Sequence, residues 1–175
     1  MVQNERETRH QRVMEAVGKM MTAARTAPKA KGIDIIEIAV VEGNDIQILS
    51  AKARELGATQ AGWKFFIRDA ENILSAEAVL LIGTHSQAQS LNCRHCGFNT
   101  CGEKPDAVPC AINSVDVGIA IGSACAMAAD LRLDTRVMFS IGYAAQTLGW
   151  LDGCRTVFAV PVSASSKNPF FDRKF

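Results

Sequence analysis

The chain has 175 residues, 48% of them apolar, and a formal net charge of +1. That length and apolar content suit one domain with a sizeable core, needing no disulfides to compensate for a small one. Acids and bases are mixed along the chain and nearly cancel, which removes any electrostatic case for nucleic acid or an anionic membrane surface as partner.

In chain order, residues 3–26 are predicted as a helix. Val13, Val17, Met20, Met21 and Ala24 fall on one apolar stripe, and Pro28 disfavours helix at Ala27. Ile33–Val41, rich in β-branched residues, reads as a buried strand. Asn44 and Gln47 are spaced as a capping pair for a helix carrying Leu49, Ala53 and Leu56, with Gly57 as its expected end. A short helix is expected over Trp63–Leu74, then a second buried strand over Ala78–Ile82.

Asn113 is the expected cap of a long helix from Ser114 to Leu131. Its Gly118, Gly122 and Ala126 lie four apart on one face, which permits close approach of another backbone. Close packing on the sheet and a subunit or cofactor interface are both open readings of that face. Arg136–Ile141 and Thr156–Val162 read as two further strands, joined through Gly142–Trp150. The tail SASSKNPFFDRKF is expected to dock on the surface or on a partner chain. The whole reads as mixed α+β over residues 1–175: a sheet of four or five strands flanked by helices, with an inserted segment at 92–111.

That segment holds four of the six cysteines, as Cys93-x2-Cys96-x4-Cys101-x8-Cys110. The N-terminus lacks an apolar run behind a basic start, and the uncharged run 117–129 falls short of the roughly 20 residues that span a bilayer. A cytoplasmic, reducing location with no membrane partner is therefore expected. There, clustered cysteines serve as metal ligands or redox groups more often than as disulfides. Four thiolates can complete a [4Fe–4S] cluster or a tetrahedral zinc. Zinc ribbons usually present two close pairs, whereas this unequal ladder suits a loop wrapped around a larger object. A cluster at Cys93, Cys96, Cys101 and Cys110 is thus the first reading, with zinc as substitute metal the alternative, and a thiol pair or disulfides after that. Gly97 and Gly102 are expected to turn the loop and aim backbone N–H groups at sulfur, which raises a cluster's potential. Arg94, His95 and Lys104 supply positive charge, although each also reads as a solvated loop residue, and His95 reads first as one. Cys125 and Cys154 are expected to be plain buried thiols.

CRHCGFNTC (93–101) resembles the start of the four-iron domain of electron-transport subunits and corrinoid iron–sulfur proteins. That resemblance implies Cys93, Cys96, Cys101 and Cys110 as its four ligands, with the last one closer here than in those domains. MMTAARTAPKAKG (20–32), residues 115–145 and FAVPVSASSKNPFFDRK (158–174) are similar to the first helix, long helix and final strand of the nitroreductase-like fold. Together, fold and insertion resemble an uncharacterised prokaryotic family described as containing a ferredoxin domain. The nitroreductase resemblance implies FMN at a dimer interface. However, the Arg-rich segment and the Ser…Asn…Gln set of the flavin enzymes have no counterpart at the matching places. Arg25, Lys29 and Lys31 are the cations that could take a flavin phosphate, or they form a solvated basic loop.

Three functions follow, in order. The first is a small iron–sulfur protein that transfers one electron to an unknown redox partner or senses redox state or iron. The second is an FMN-dependent oxidoreductase with the cluster as relay, and the third a zinc-stabilised structural domain. His10, His85 and His95 form no nucleophile or acid–base set, so cofactors would carry any chemistry. The small-residue helix and apolar tail lead to an expected homodimer or larger homo-oligomer.

Overall fold

The computed structural model describes residues 2–171. Helix α1 (Glu5–Thr26) is capped by the Asn4 side chain, which accepts from the Arg6 N–H, and it stops before Pro28. Its buried stripe is Val13, Val17, Met20 and Ala24, at the spacing the sequence implies. A 3-10 turn at Ala30–Gly32 leads into strand β1 (Ile36–Val41), shorter at its start than expected. Helix α2 covers Asn44–Thr59, α3 Lys64–Ile73, and β2 Ala78–His85. The cysteine segment follows without helix or strand, and α4 takes Ala111–Asp130. A two-residue β3 (Asp134–Thr135), helix α5 (Phe139–Thr147) and strand β4 (Cys154–Ser163) complete the fold.

The four strands form one antiparallel sheet in the order β1-β2-β4-β3. Strand β2 lies between β1 and β4, pairing Ile38 with Ile82 and Leu80 with Val160. Alternate residues of its apolar run serve two cores. Ala78, Leu80 and Ile82 pack with α1 and α4, while Val79 and Leu81 pack with α2, α3 and α5. A strand covered on both faces has no use for polar alternation, which explains AVLLI.

Four expectations need correction. Asn44 is the first helical residue of α2 rather than its cap, a position held by Gly43 at φ 57°. Gly57 does not end α2. It lies inside the helix because α3 crosses there, and a Cβ would meet Ile67 Cγ1 at 2.8 Å. Asn113 is not the cap of α4, since the helix begins at Ala111 with Cys110 as N-cap. Finally, Arg136–Ile141 is not a strand. Only Met138 bridges to Ala159 before α5 begins at Phe139. Gly142 permits that outcome: its missing side chain lets α5 lie directly on β4, where a Cβ would stand 2.1 Å from the Val157 carbonyl oxygen.

The small-residue face of α4 does not pack on the sheet. Gly118, Gly122 and Ala126 face outward, with nothing within 4 Å of a Cβ at either glycine. Val115 and Ile119 stand beside them, 53% and 40% exposed. Starting at Ala111, α4 reaches 20 residues and has the length and apolarity of a spanning helix, longer than the sequence suggested. Its opposite face is nevertheless core, through Val117, Ala120, Ile121, Ala124 and Ala128. As far as Phe171 the tail folds back on its own chain, and its residues 172–175 lie outside the described ones. Phe170 is fully buried, and its carbonyl accepts from Asn72 Nδ2 (3.1 Å) and Arg136 Nη1 (2.6 Å).

Candidate functional site

The cysteine segment runs from the end of β2 to the start of α4. A register shift at Thr84/His85 ends the regular pairing of β2. The His85 ring bridges the Gly153 carbonyl (Nδ1, 3.0 Å) and Glu37 (Nε2 to Oε1, 3.3 Å). The His85 carbonyl accepts from Asn113 Nδ2 (3.1 Å). Asn113 therefore fastens the first turn of α4 to the β2 end, a role in place of the expected cap.

The chain then bends through residues that favour or tolerate left-handed backbone. Asn92 has φ 48°, Arg94 φ 64° and Gly97 φ 88°. Gly97 thus turns the loop as expected, while Gly102 does not adopt this conformation. Asn92 and Cys101 hold each other: the Cys101 N–H donates to Asn92 Oδ1 (2.8 Å), and the Asn92 N–H points at Cys101 Sγ (3.4 Å). This is the expected kind of backbone N–H to sulfur contact, supplied by a residue that sequence reasoning passed over.

Lys104 folds back onto the carbonyls of Val108 (2.7 Å) and Pro105 (3.1 Å), so its charge fastens the loop to itself. Arg94 and His95 are exposed. Arg155 of β4 donates to the Ala107 carbonyl (2.8 Å) and ties the last part of the segment to the sheet. Arg155 also lines a crevice with His85, Pro109, Cys110, Asn113 and Ser114.

Cys110 is buried and sits at the N-cap of α4 with no side chain capping the first turn. The free N–H groups of a helix start favour negative charge, which suits a thiolate ligand there. Cys93, Cys96 and Cys101 are half-buried, and all six cysteines are free thiols. Among the described residues, no three His, Cys, Asp or Glu side chains are gathered as a metal-holding group. The donor set nonetheless fits an iron–sulfur cluster in its chemistry. Four thiols lie on one segment with neither helix nor strand to keep them apart, and the fourth is anchored at a helix start.

The other two cysteines are differently placed. Burial pushes the Cys154 thiol up to about 11, with the Glu37 charge adding to the effect. Burial also raises Cys125, a shift that a hydrogen bond with Thr135 partly offsets. A thiol at about 11 is ionised to only about 0.1% at pH 8, against roughly a quarter for an ordinary one. Alkylation of the native metal-free protein at pH 8, mapped by mass spectrometry, is expected to label Cys154 last. Labelling of Cys154 as fast as Cys96 would contradict this placement.

The candidate phosphate cations do not converge. Arg25 pairs with Asp34 (2.8 Å) and donates to the Ile36 carbonyl. Burial raises the Asp34 carboxyl, but Arg25 and the Ile36 N–H outweigh it and leave the group below its ordinary range. Lys29 caps the end of α1 at the carbonyls of Ala24 and Arg25. Lys31 reaches the Gln89 carbonyl (3.3 Å). Buried Asp116 of α4 accepts from the Ala30 N–H (3.1 Å), which ties this loop to the same helix that carries Cys110. Gln89 is itself buried, with its Oε1 unpartnered. A different group of cations lies elsewhere, in an open groove of about 540 Å3 lined by Arg6, Arg9, Arg132, Ser165 and Ser166. Sequence reasoning missed it because its members come from three distant segments.

Several solved structures share the fold. A nitroreductase with bound FMN from Desulfitobacterium hafniense superimposes with a TM-score of 0.63 at 15% identity, covering 87% of this chain and 78% of that one. A second FMN-bound nitroreductase, from Bacteroides fragilis, gives 0.62 at 11% identity over 92% and 82%. A BluB-like flavoprotein from Clostridium difficile gives 0.54 at 20% identity over 87% and 84%. These establish a nitroreductase-like fold. An uncharacterized protein of Archaeoglobus fulgidus is 42% identical over 99% of this chain and 98% of its own length. Residues 106–173 match the family described as "Uncharacterized protein containing a ferredoxin domain (DUF2148)", a stretch that includes Cys110 and begins after Cys101. A relative this similar over its full length, together with the family match, places this chain in that ferredoxin-domain family.

Proposed function

We propose that the protein is a redox protein carrying one [4Fe–4S] cluster on Cys93, Cys96, Cys101 and Cys110. The observation that carries this reading is the segment itself: four free thiols on irregular chain between β2 and α4, the last at an uncapped helix start. The family's ferredoxin description supports it. Such a cluster supplies one-electron transfer, at a potential set by hydrogen bonds to sulfur and by exposure. The chain's own part is to hold the sulfurs, direct N–H groups at them and anchor the loop through Arg155 and Asn113. Iron, sulfide, zinc and flavin quantitation on anaerobically prepared protein tests the proposal; about one zinc per chain without iron would replace it with the zinc-stabilised domain.

A second reading has an observation of its own. The fold neighbours include FMN-bound nitroreductases, and the groove lined by Arg6, Arg9 and Arg132 offers the charges of Arg6 and Arg132 and serine hydroxyls to a phosphate, while Arg9 is paired with Glu5 (2.8 Å). In this reading the cluster relays electrons to FMN, whose phosphate sits in that groove rather than at Arg25, Lys29 and Lys31. Flavin at about one equivalent in the same sample supports it, and flavin-free protein that does not take up added FMN excludes it.

The outward face of α4 is the proposed contact with a second copy of the chain. Small residues there admit a helix backbone, and Val115 and Ile119 add apolar surface. Ile119→Asp is expected to convert a dimer to monomer in sedimentation equilibrium at micromolar concentration. A wild-type monomer under those conditions ends this part of the proposal.

A further inference from the structure

The contact between Asn92 and Cys101 joins two points of the cysteine segment nine residues apart in sequence, through two hydrogen bonds in opposite senses. Its consequence is geometric. Consecutive Cα atoms are ~3.8 Å apart, so holding residue 92 against residue 101 brings Cys93 into the neighbourhood of Cys101 before any metal arrives. Its consequence is also electronic, because the Asn92 N–H is already directed at the Cys101 sulfur, and such bonds stabilise the reduced, more negative state of a cluster. Asparagine is suited to this place. Its φ of 48° is a region that few side chains tolerate, and its short amide reaches the Cys101 N–H without moving the backbone.

We propose that Asn92 is the positioning residue of the cysteine segment: its side chain clamps Cys101 in place, and its backbone N–H tunes the sulfur once it is a ligand. This rests on the iron–sulfur reading above. The clamp fixes the segment at Asn92 and Cys101, while Arg155 and Lys104 hold its later part, which ends at the helix-anchored Cys110.

Two variants separate the side-chain effect from backbone strain. Asn92→Gly keeps the left-handed backbone and loses the acceptor, while Asn92→Asp keeps an acceptor in the same position. In the metal-free protein, Cys101 is expected to alkylate several-fold faster in Asn92→Gly than in wild type, and Asn92→Asp is expected to restore the slow rate. In the iron-loaded protein, Asn92→Gly is expected to lose iron to a chelator several-fold faster and to titrate at a lower midpoint potential. Asn92→Asp is expected to restore resistance to the chelator. An Asn92→Gly protein matching wild type in Cys101 labelling, chelator rate and midpoint overturns the proposal. If the wild type takes up no iron yet Asn92→Gly still accelerates labelling, the iron–sulfur reading fails, and with it the ligand role of the clamp, while the hydrogen bonds themselves are upheld.

Discussion

Protein prepared without oxygen is expected to contain about four irons and four acid-labile sulfides per chain, the content of a single cubane. Replacement of Cys93, Cys96 or Cys101 by alanine is expected to remove most of that iron and bleach the broad visible absorbance. These three thiols are half-buried on irregular chain, so their loss should leave the fold intact. Cys110 calls for a different substitution, because it is both a buried residue and the N-cap of α4. Serine there supplies an oxygen to the first-turn N–H groups, a capping interaction worth about 1 kcal/mol, while removing the thiolate. Compared metal-free, Cys110→Ser is therefore expected to equal or exceed wild type in stability, and under iron loading it is expected to lose the cluster. Cys125→Ala and Cys154→Ala serve as controls and are expected to keep their iron, since those thiols lie outside the segment. Iron retained in full by Cys101→Ala and by Cys110→Ser would sink the four-cysteine assignment.

The largest loss of stability is expected from Gly142→Ala. A Cβ there would stand 2.1 Å from the Val157 oxygen, 2.5 Å from Phe158 Cα and 2.6 Å from the Val157 carbonyl carbon. All three are backbone atoms of β4, which also pairs with β2 along its length. Relief requires α5 to lift away from the sheet, carrying Ile141, Ala144 and Ala145 out of the second core. Overpacking against atoms that cannot turn aside costs on the order of 4 kcal/mol, a large share of the 5–15 kcal/mol of a typical domain. The urea midpoint should fall steeply, or the variant should fail to accumulate as folded protein. Gly118→Ala is the matched control. Open space surrounds that position, so alanine should be tolerated, with up to about 1 kcal/mol of helix stabilisation in the isolated chain. A Gly142→Ala protein unfolding within about 1 kcal/mol of wild type would contradict the close approach of α5 to β4.

Much of the architecture is legible in residue order because its signals are local. The α1 stripe repeats at helical spacing and ends at Pro28, and AVLLI announces a strand covered on both faces. The failures share one cause. Asn44 and Asn113 carry side chains that often cap helices, yet whether they do so depends on where packing starts each helix. Asn113 is drawn instead to the His85 carbonyl across the fold. Residues 136–141 look like a strand until Gly142 allows a helix to settle on β4. For the candidate site, residue types and spacing pointed to the cysteines and to a special backbone at Gly97. They could not point to Asn92 or Arg155, whose partners lie nine and forty-eight residues away.

By itself, the amino-acid order determined the donor chemistry, the alternation of apolar segments and the mixed α+β class, since each depends on neighbours within a few residues. The tertiary structure decided what faces what. It turned the small-residue side of α4 outward rather than onto the sheet, separated Arg25, Lys29 and Lys31, and gathered Arg6, Arg9 and Arg132 around one groove. These are relations between residues distant in the chain, and they are settled only when both faces of the sheet are covered at once.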